Sequence, residues 1–199
     1  MAHSETGNWF EVERSAATAA TAARQAGEWS SLVDALRLLM EARDHLAAAA
    51  RNGRRVQILE DEESLAVVQE PGRYLLRPPL VGRSAKDLSL RARDNEIPML
   101  ILCREPTTQL ARCPIVSLGE GVTVRMHVDE PSNPDKPTCQ WFDDALDQLG
   151  HHAIGGVDPA MAPLRLLDAM IMRVETIPHH SPLHVAAIEA AKAAMNGDG

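Results

Sequence analysis

Residues 9–53 read WFEVERSAATAATAARQAGEWSSLVDALRLLMEARDHLAAAARNG. The stretch holds no proline, and all thirteen prolines of the chain lie at or beyond position 71. A proline-free, alanine-rich opening favours long helices; a proline-rich remainder favours short elements joined by turns. Val12, Ala16, Ala19, Ala23 and Ala26 recur at helical spacing and predict a helix over 9–26 with a stripe of small residues. Gly27 is a natural stop. Leu32, Leu36, Leu39, Leu46 and Ala50 predict a second helix over 28–52, with Arg43 interrupting the stripe. A small-residue stripe facing a leucine stripe permits close antiparallel packing, so the two helices read as a hairpin. No second copy appears at the roughly 34-residue period of tetratricopeptide arrays. A lone hairpin cannot bury both faces and must dock on the rest of the chain, on a second copy or on a partner.

Beyond Gly53 the period shortens. Val56 and Ile58 alternate with polar neighbours, Asp61-Glu62-Glu63-Ser64 reads as a turn, and Leu65–Val68 as a second strand. Glu70-Pro71-Gly72-Arg73 suits a type II turn. Tyr74–Leu76 completes an expected three-strand meander. Ser84–Asp87 resembles a capping box opening a short helix to about Asn95. The apolar run 98–103 predicts a central strand with a parallel neighbour. Gly119-Glu120-Gly121 joins a hairpin whose second strand alternates strictly: Val122, Val124, Met126 and Val128 on one face, Thr123, Arg125 and His127 on the other. A phosphate loop would need a third glycine, a following helix and a lysine, none of which is present there.

The loop 129–137, DEPSNPDKP, is the best boundary. Helices follow: one capped by Thr138 and carrying Trp141 and Phe142, one from Pro159 or Pro163, and one opened by Ser181-Pro182. The expected fold class is therefore α+β: an N-terminal helical hairpin (1–54), a small mixed β-sheet with one short helix (55–130) and C-terminal helices (131–199).

The chain has 199 residues, 45% hydrophobic, 24% charged and 3% aromatic, with net charge −8. The charge is uneven: residues 51–93 carry nine basic and six acidic side chains, residues 94–199 seven and fifteen. An acidic whole disfavours nucleic acid and anionic lipid. The basic segment reads as surface that pairs with the acidic C-terminal part. No apolar run nears the roughly 20 residues of a membrane helix, and no signal peptide is visible. Cys103, Cys113 and Cys139 are odd in number and lack C-x-x-C spacing, so reduced thiols in a cytoplasmic protein are expected, with no cofactor.

Two groups of residues suggest chemistry. Cys103-Arg104-Glu105-Pro106-Thr107-Thr108 leaves the carboxyl end of the expected central strand, where open α/β sheets bind ligands. Arg104 would grip an anion, Thr107 and Thr108 would add hydroxyls, and Cys103 would be a nucleophile only with a lowered pKa and a base, for which His127 is the candidate. His179, His180 and His184 form the tightest histidine group. A metal there would draw on His151, His152 or an aspartate, but the spacing matches no familiar ligand motif, and the reading assigns them to packing. Asp143, Asp144 and Asp147 read as a solvated acidic face. No nucleophile elbow, nucleotide fingerprint or paired-glutamate motif occurs. The leading expectation is a non-catalytic cytoplasmic interaction or assembly module that meets a protein partner or a second copy through the hairpin. The alternative is a small-molecule or anion-binding or thiol-dependent enzyme domain with its site at Cys103, Arg104, Thr107, Thr108 and His127.

Overall fold

A positive φ of 71° at Gly27 turns the chain between α1 (Thr6–Ala26) and α2 (Trp29–Arg51), a reversal that a Cβ would oppose. The computed structural model describes residues 6–106 and 112–197. The expected hairpin is present. The leucine stripe of α2 is buried as read, and Arg43 in its middle has no exposed surface. The α1 stripe is rotated from the expected one. Glu13, Ala16, Ala20 and Ala23 face inward, whereas Ala19 and Ala26 are exposed, because Glu13 turns inside to meet Arg43.

A five-stranded sheet follows in the order β1 (Val56–Leu59), β2 (Gly72–Leu76), β3 (Met99–Arg104), β4 (Cys113–Leu118), β5 (Thr123–Val128). The expected meander is replaced by parallel pairing of β1 with β2. Residues 62–66 form α3 (Glu62–Ala66) in place of the expected turn over 61–64 and strand over 65–68. Asp61 caps it, accepting from the Ser64 backbone N–H at 2.6 Å, and Glu62 and Glu63 favour the positive end of the helix dipole. Nor does Pro71-Gly72 make a type II turn: among the described glycines only Gly27 and Gly121 have positive φ, and Gly72 already belongs to β2. β3 is the expected interior strand, parallel to β2 and antiparallel to β4. α4 (Gly82–Asp94) starts two residues ahead of Ser84, whose hydroxyl accepts from the Val81 N–H at 3.5 Å. The β4–β5 hairpin turns at Gly121 and keeps the expected alternation.

The sheet has two apolar faces. Tyr74, Leu76, Met99, Cys103 and Val116 pack under α3 and α4. Leu75, Leu100, Leu102, Ile115 and Val124 face the hairpin together with α5 (Cys139–Gly155), α6 (Pro163–Thr176) and α7 (Ser181–Gly197). Thr138 caps α5 as expected, accepting from the Trp141 N–H at 3.1 Å. Ser181 instead is the first residue of α7, and its hydroxyl donates to Asp44 of α2 at 2.6 Å. Basic and acidic segments pair across the fold. Arg73 on β2 holds Asp143 of α5 at 3.0 and 2.7 Å and donates to the Arg51 and Gly53 carbonyls at the end of α2. No helix among the described residues is long and apolar enough to cross a membrane.

Candidate functional site

The sheet opens between its third and fourth strands. β3 pairs with β2 from Met99 to Cys103, but with β4 only at Cys103 and Arg104. The Glu105 N–H donates to the Pro114 carbonyl at 2.9 Å, so alternate residues counted back from it, Cys103, Ile101 and Met99, turn their backbone groups toward β4. Beyond Cys103 the two strands diverge. Among the described residues no backbone group outside the sheet bonds to Met99 or Ile101.

The tip of β4 is held instead by α6. Ser117 Oγ donates to the Thr176 carbonyl at 2.7 Å, and a Cβ on Gly119 would lie 2.0 Å from Thr176 Oγ1. A bare backbone at Gly119 therefore lets the end of α6 press against the β4–β5 turn. The space left between the strands is a cavity of about 670 Å³. Met99, Ile101 and Cys103 form one wall, Val116 and Leu118 the other. Leu90 of α4 and Met172 of α6 lie at its rim, 49% and 39% exposed. Lys86, Glu120 and Glu175 add charge around the apolar interior.

Only part of the expected constellation reaches this cavity. Cys103 lines it; Arg104 and His127 do not. Successive residues of a strand point to opposite faces, so Cys103 lies under α4 while Arg104 turns the other way and meets Glu130 at 2.5 Å. His127 is exposed on β5, across from Pro114. Thr107 and Thr108 lie outside the described residues. Burial pushes the Cys103 thiol up to about 12, and the nearby Glu105 carboxylate adds to the rise. At neutral pH it is a protonated thiol, whereas the thiolate is the nucleophilic form. Comparison of the chain with protein-family models, curated proteins and solved structures finds no match. The site must be read from its own geometry.

The histidine group does not converge as one cluster. His184 is 1% exposed, and its Nε2–H donates to the Pro178 carbonyl at 2.9 Å. Half-buried His179 lies in the loop between α6 and α7. Burial lowers both to about 4, and the Arg43 guanidinium adds to the shift. That guanidinium bonds Glu13 and Glu175, each at 2.9 Å, and the Val174 carbonyl at 3.3 Å; Arg93 reaches the same Glu13 at 3.2 Å. His180 turns away from this network toward α5, where its Nε2 lies 3.3 Å from Asp147 Oδ1. The acidic face expected at Asp143, Asp144 and Asp147 thus divides. Asp143 pairs with Arg73, Asp144 accepts from Gln140, and Asp147 faces two histidines.

Sequence reasoning missed Leu90, Met172 and Glu13. Leu90 sits among polar helical neighbours and Met172 ends an apolar run, Ala169–Met172, so nothing local marks either as cavity rim. Glu13 did carry a signal: it lies three residues before Ala16 on the same helical face, the place where a counter-charge to Arg43 would sit.

Proposed function

We propose that this chain is a non-catalytic protein-interaction module that takes an extended, apolar segment of a protein partner into the cleft between β3 and β4. The carrying observation is the stretch of β3 from Met99 to Leu102 that has no β4 partner and borders a cavity of about 670 Å³. An entering strand would find backbone groups of Met99 and Ile101 to pair with, and alternate apolar side chains would find the walls. Leu90 and Met172 supply the exposed apolar rim that such a segment would cover. The cleft is a better candidate than the hairpin. The inner stripe of α2 is already covered by α1, α7 and the sheet, and Leu38 is the one large hydrophobic of the two helices among the exposed ones. A protonated Cys103 argues against thiol catalysis at the same place. Free Cys103, Cys113 and Cys139 fit a reducing, cytoplasmic setting.

Panning random peptides displayed on phage against the full chain tests this. Peptides with alternating apolar residues should be enriched. Leu90→Asp and Met172→Asp, both on exposed side chains, should each weaken their binding about tenfold or more, the equivalent of about 1.4 kcal/mol of lost contact. Failure to enrich any peptide, or enriched peptides that bind both variants as well as the parent, would refute the reading.

A further inference from the structure

Asp147 and His151 stand one turn apart on the exposed face of α5, at i and i+4, so their side chains share that face. His151 Nδ1 lies 3.3 Å from Asp147 Oδ2, and His180 Nε2 lies 3.3 Å from Asp147 Oδ1. One donor atom from each of the three residues lies within 4.8 Å of the others. A tetrahedral zinc ion holds nitrogen and oxygen ligands at about 2.0–2.2 Å, which places any two of them roughly 3.4 Å apart. The two 3.3 Å separations run to different oxygens of Asp147, and His151 Nδ1 also donates to the Asp147 carbonyl at 3.0 Å, so an ion would draw the exposed side chains of Asp147 and His151 to new positions around the fixed ring of His180.

A surface aspartate beside a surface histidine is common. His180 is what makes this place different. It is 3% exposed, and neither of its ring nitrogens has a hydrogen-bond partner among the described residues. Apart from the misaligned 3.3 Å approach of Nε2 to Asp147, an imidazole buried in that state has lost its water without replacement, which is unfavourable unless something else binds it. Its position is held from both sides. The His180 carbonyl accepts from the Leu183 N–H at 3.0 Å, and the adjacent Ser181 is tied to Asp44. The ring lies against the bare backbone of Gly150, where a Cβ would come within 2.2–2.4 Å of its Cγ, Cδ2 and Nδ1. Glycine is a poor choice for a helix interior; here it makes room for this ring beside Asp147 and His151.

We infer that Asp147, His151 and His180 form a binding site for a divalent transition-metal ion of the zinc class. Two imidazoles and one carboxylate make a borderline donor set, suited to Zn²⁺ or Co²⁺ and not to Mg²⁺ or Ca²⁺, which prefer oxygen. Burial lowers the His180 pKa, which keeps the ring in the neutral form that a metal requires. A bound ion would use the buried ring as a fixed ligand and the two helical side chains as ligands reached from solvent. It would clamp the start of α7 to α5 and leave a fourth position for water. The inference is independent of the peptide cleft.

The test uses the full chain, stripped with EDTA and titrated with ZnCl₂ in competition with a chromophoric chelator, with MgCl₂ in parallel. One equivalent of zinc should bind, with no effect of Mg²⁺. His151→Ala and Asp147→Ala alter exposed side chains and leave the far-ultraviolet circular dichroism unchanged; each should weaken zinc at least tenfold. Gly150→Ala should do the same by displacing the ring. His152→Ala and His127→Ala, exposed histidines outside the trio, should bind as the parent does. The inference is overturned if no saturable single equivalent binds, if His151→Ala and Asp147→Ala bind zinc like the parent, or if His152→Ala loses as much as His151→Ala.

Discussion

Arg43 interrupts the leucine stripe of α2, yet it is fully buried, because every direction its guanidinium faces holds an acceptor: Glu13, Glu175 and the Val174 carbonyl. Such a pair adds little over apolar residues of similar volume, but removing one partner leaves the other buried charge with only its partly exposed second partner, Arg93 for Glu13 or Glu175 for Arg43, at a cost of up to about 3–5 kcal/mol. Arg43→Leu and Glu13→Leu should therefore each destabilise strongly in urea denaturation. The double variant should cost clearly less than the two singles added together; simple additivity would mean that the charges are not coupled. His184 makes the second prediction at this scale. The fold holds it neutral, with a pKa near 4 against 6.5 for the free side chain. Between those values the unfolded chain binds more protons than the folded one, so stability is complete above pH 6.5 and falls as the pH drops toward 4. The shift corresponds to a loss on the order of 3 kcal/mol at 1.36 kcal/mol per pKa unit. Urea midpoints measured from pH 7.5 to 4 in EDTA should fall, and His184→Gln should flatten the slope. An unchanged slope in that variant would remove His184 as the cause.

At the scale of elements, whatever is set by neighbours in sequence could be read in advance. Gly27 and the leucine stripe announce the hairpin, strict alternation announces β5, and Thr138 announces α5. One departure comes from a local signal that admits two meanings. Asp61-Glu62-Glu63-Ser64 is chemically a helix start as much as a turn, and its reciprocal Asp61–Ser64 hydrogen bonds decide for α3. The rotated face of α1 has a different origin. A purely hydrophobic pattern cannot nominate Glu13 as a core residue; only Arg43 on the facing helix makes it one. The candidate sites were legible only in fragments. Cys103 does end on the wall of the cavity between β3 and β4, but that cavity exists because β4 leaves β3 after two pairs to meet Thr176 through Gly119, a contact between distant parts of the chain. His179, His180 and His184 are close neighbours in sequence. The structure separates them and gives His180 new neighbours on α5, because α7 packs so that a ring fits over Gly150.

For the whole molecule, the question is whether the three sequence segments can stand apart. One apolar cluster joins Ala16 and Leu36 of the hairpin, Leu100 and Ile115 of the sheet, and Phe142, Leu167 and Leu183 of the C-terminal helices. In α2 alone, Leu32, Leu36, Leu39 and Leu46 are each 3% exposed or less. Full burial of a leucine contributes roughly 1.5–3 kcal/mol. Four of them amount to about 6–12 kcal/mol, which is as large as the entire stability of an ordinary domain, about 5–15 kcal/mol. A chain of residues 55–199 would lose that contribution and expose the sheet face with Leu75, Leu100 and Leu102, together with the side of α7 that packs on α2. It would also leave Arg73 without the Arg51 and Gly53 carbonyls that accept two of its hydrogen bonds. Residues 55–199 should therefore show no cooperative urea transition and should bind a hydrophobic dye, while the full chain unfolds in a single step. A cooperative transition in the shortened chain would mean that the hairpin is an accessory lying on a self-sufficient body, and that its long leucine stripe exists for reasons other than holding the sheet.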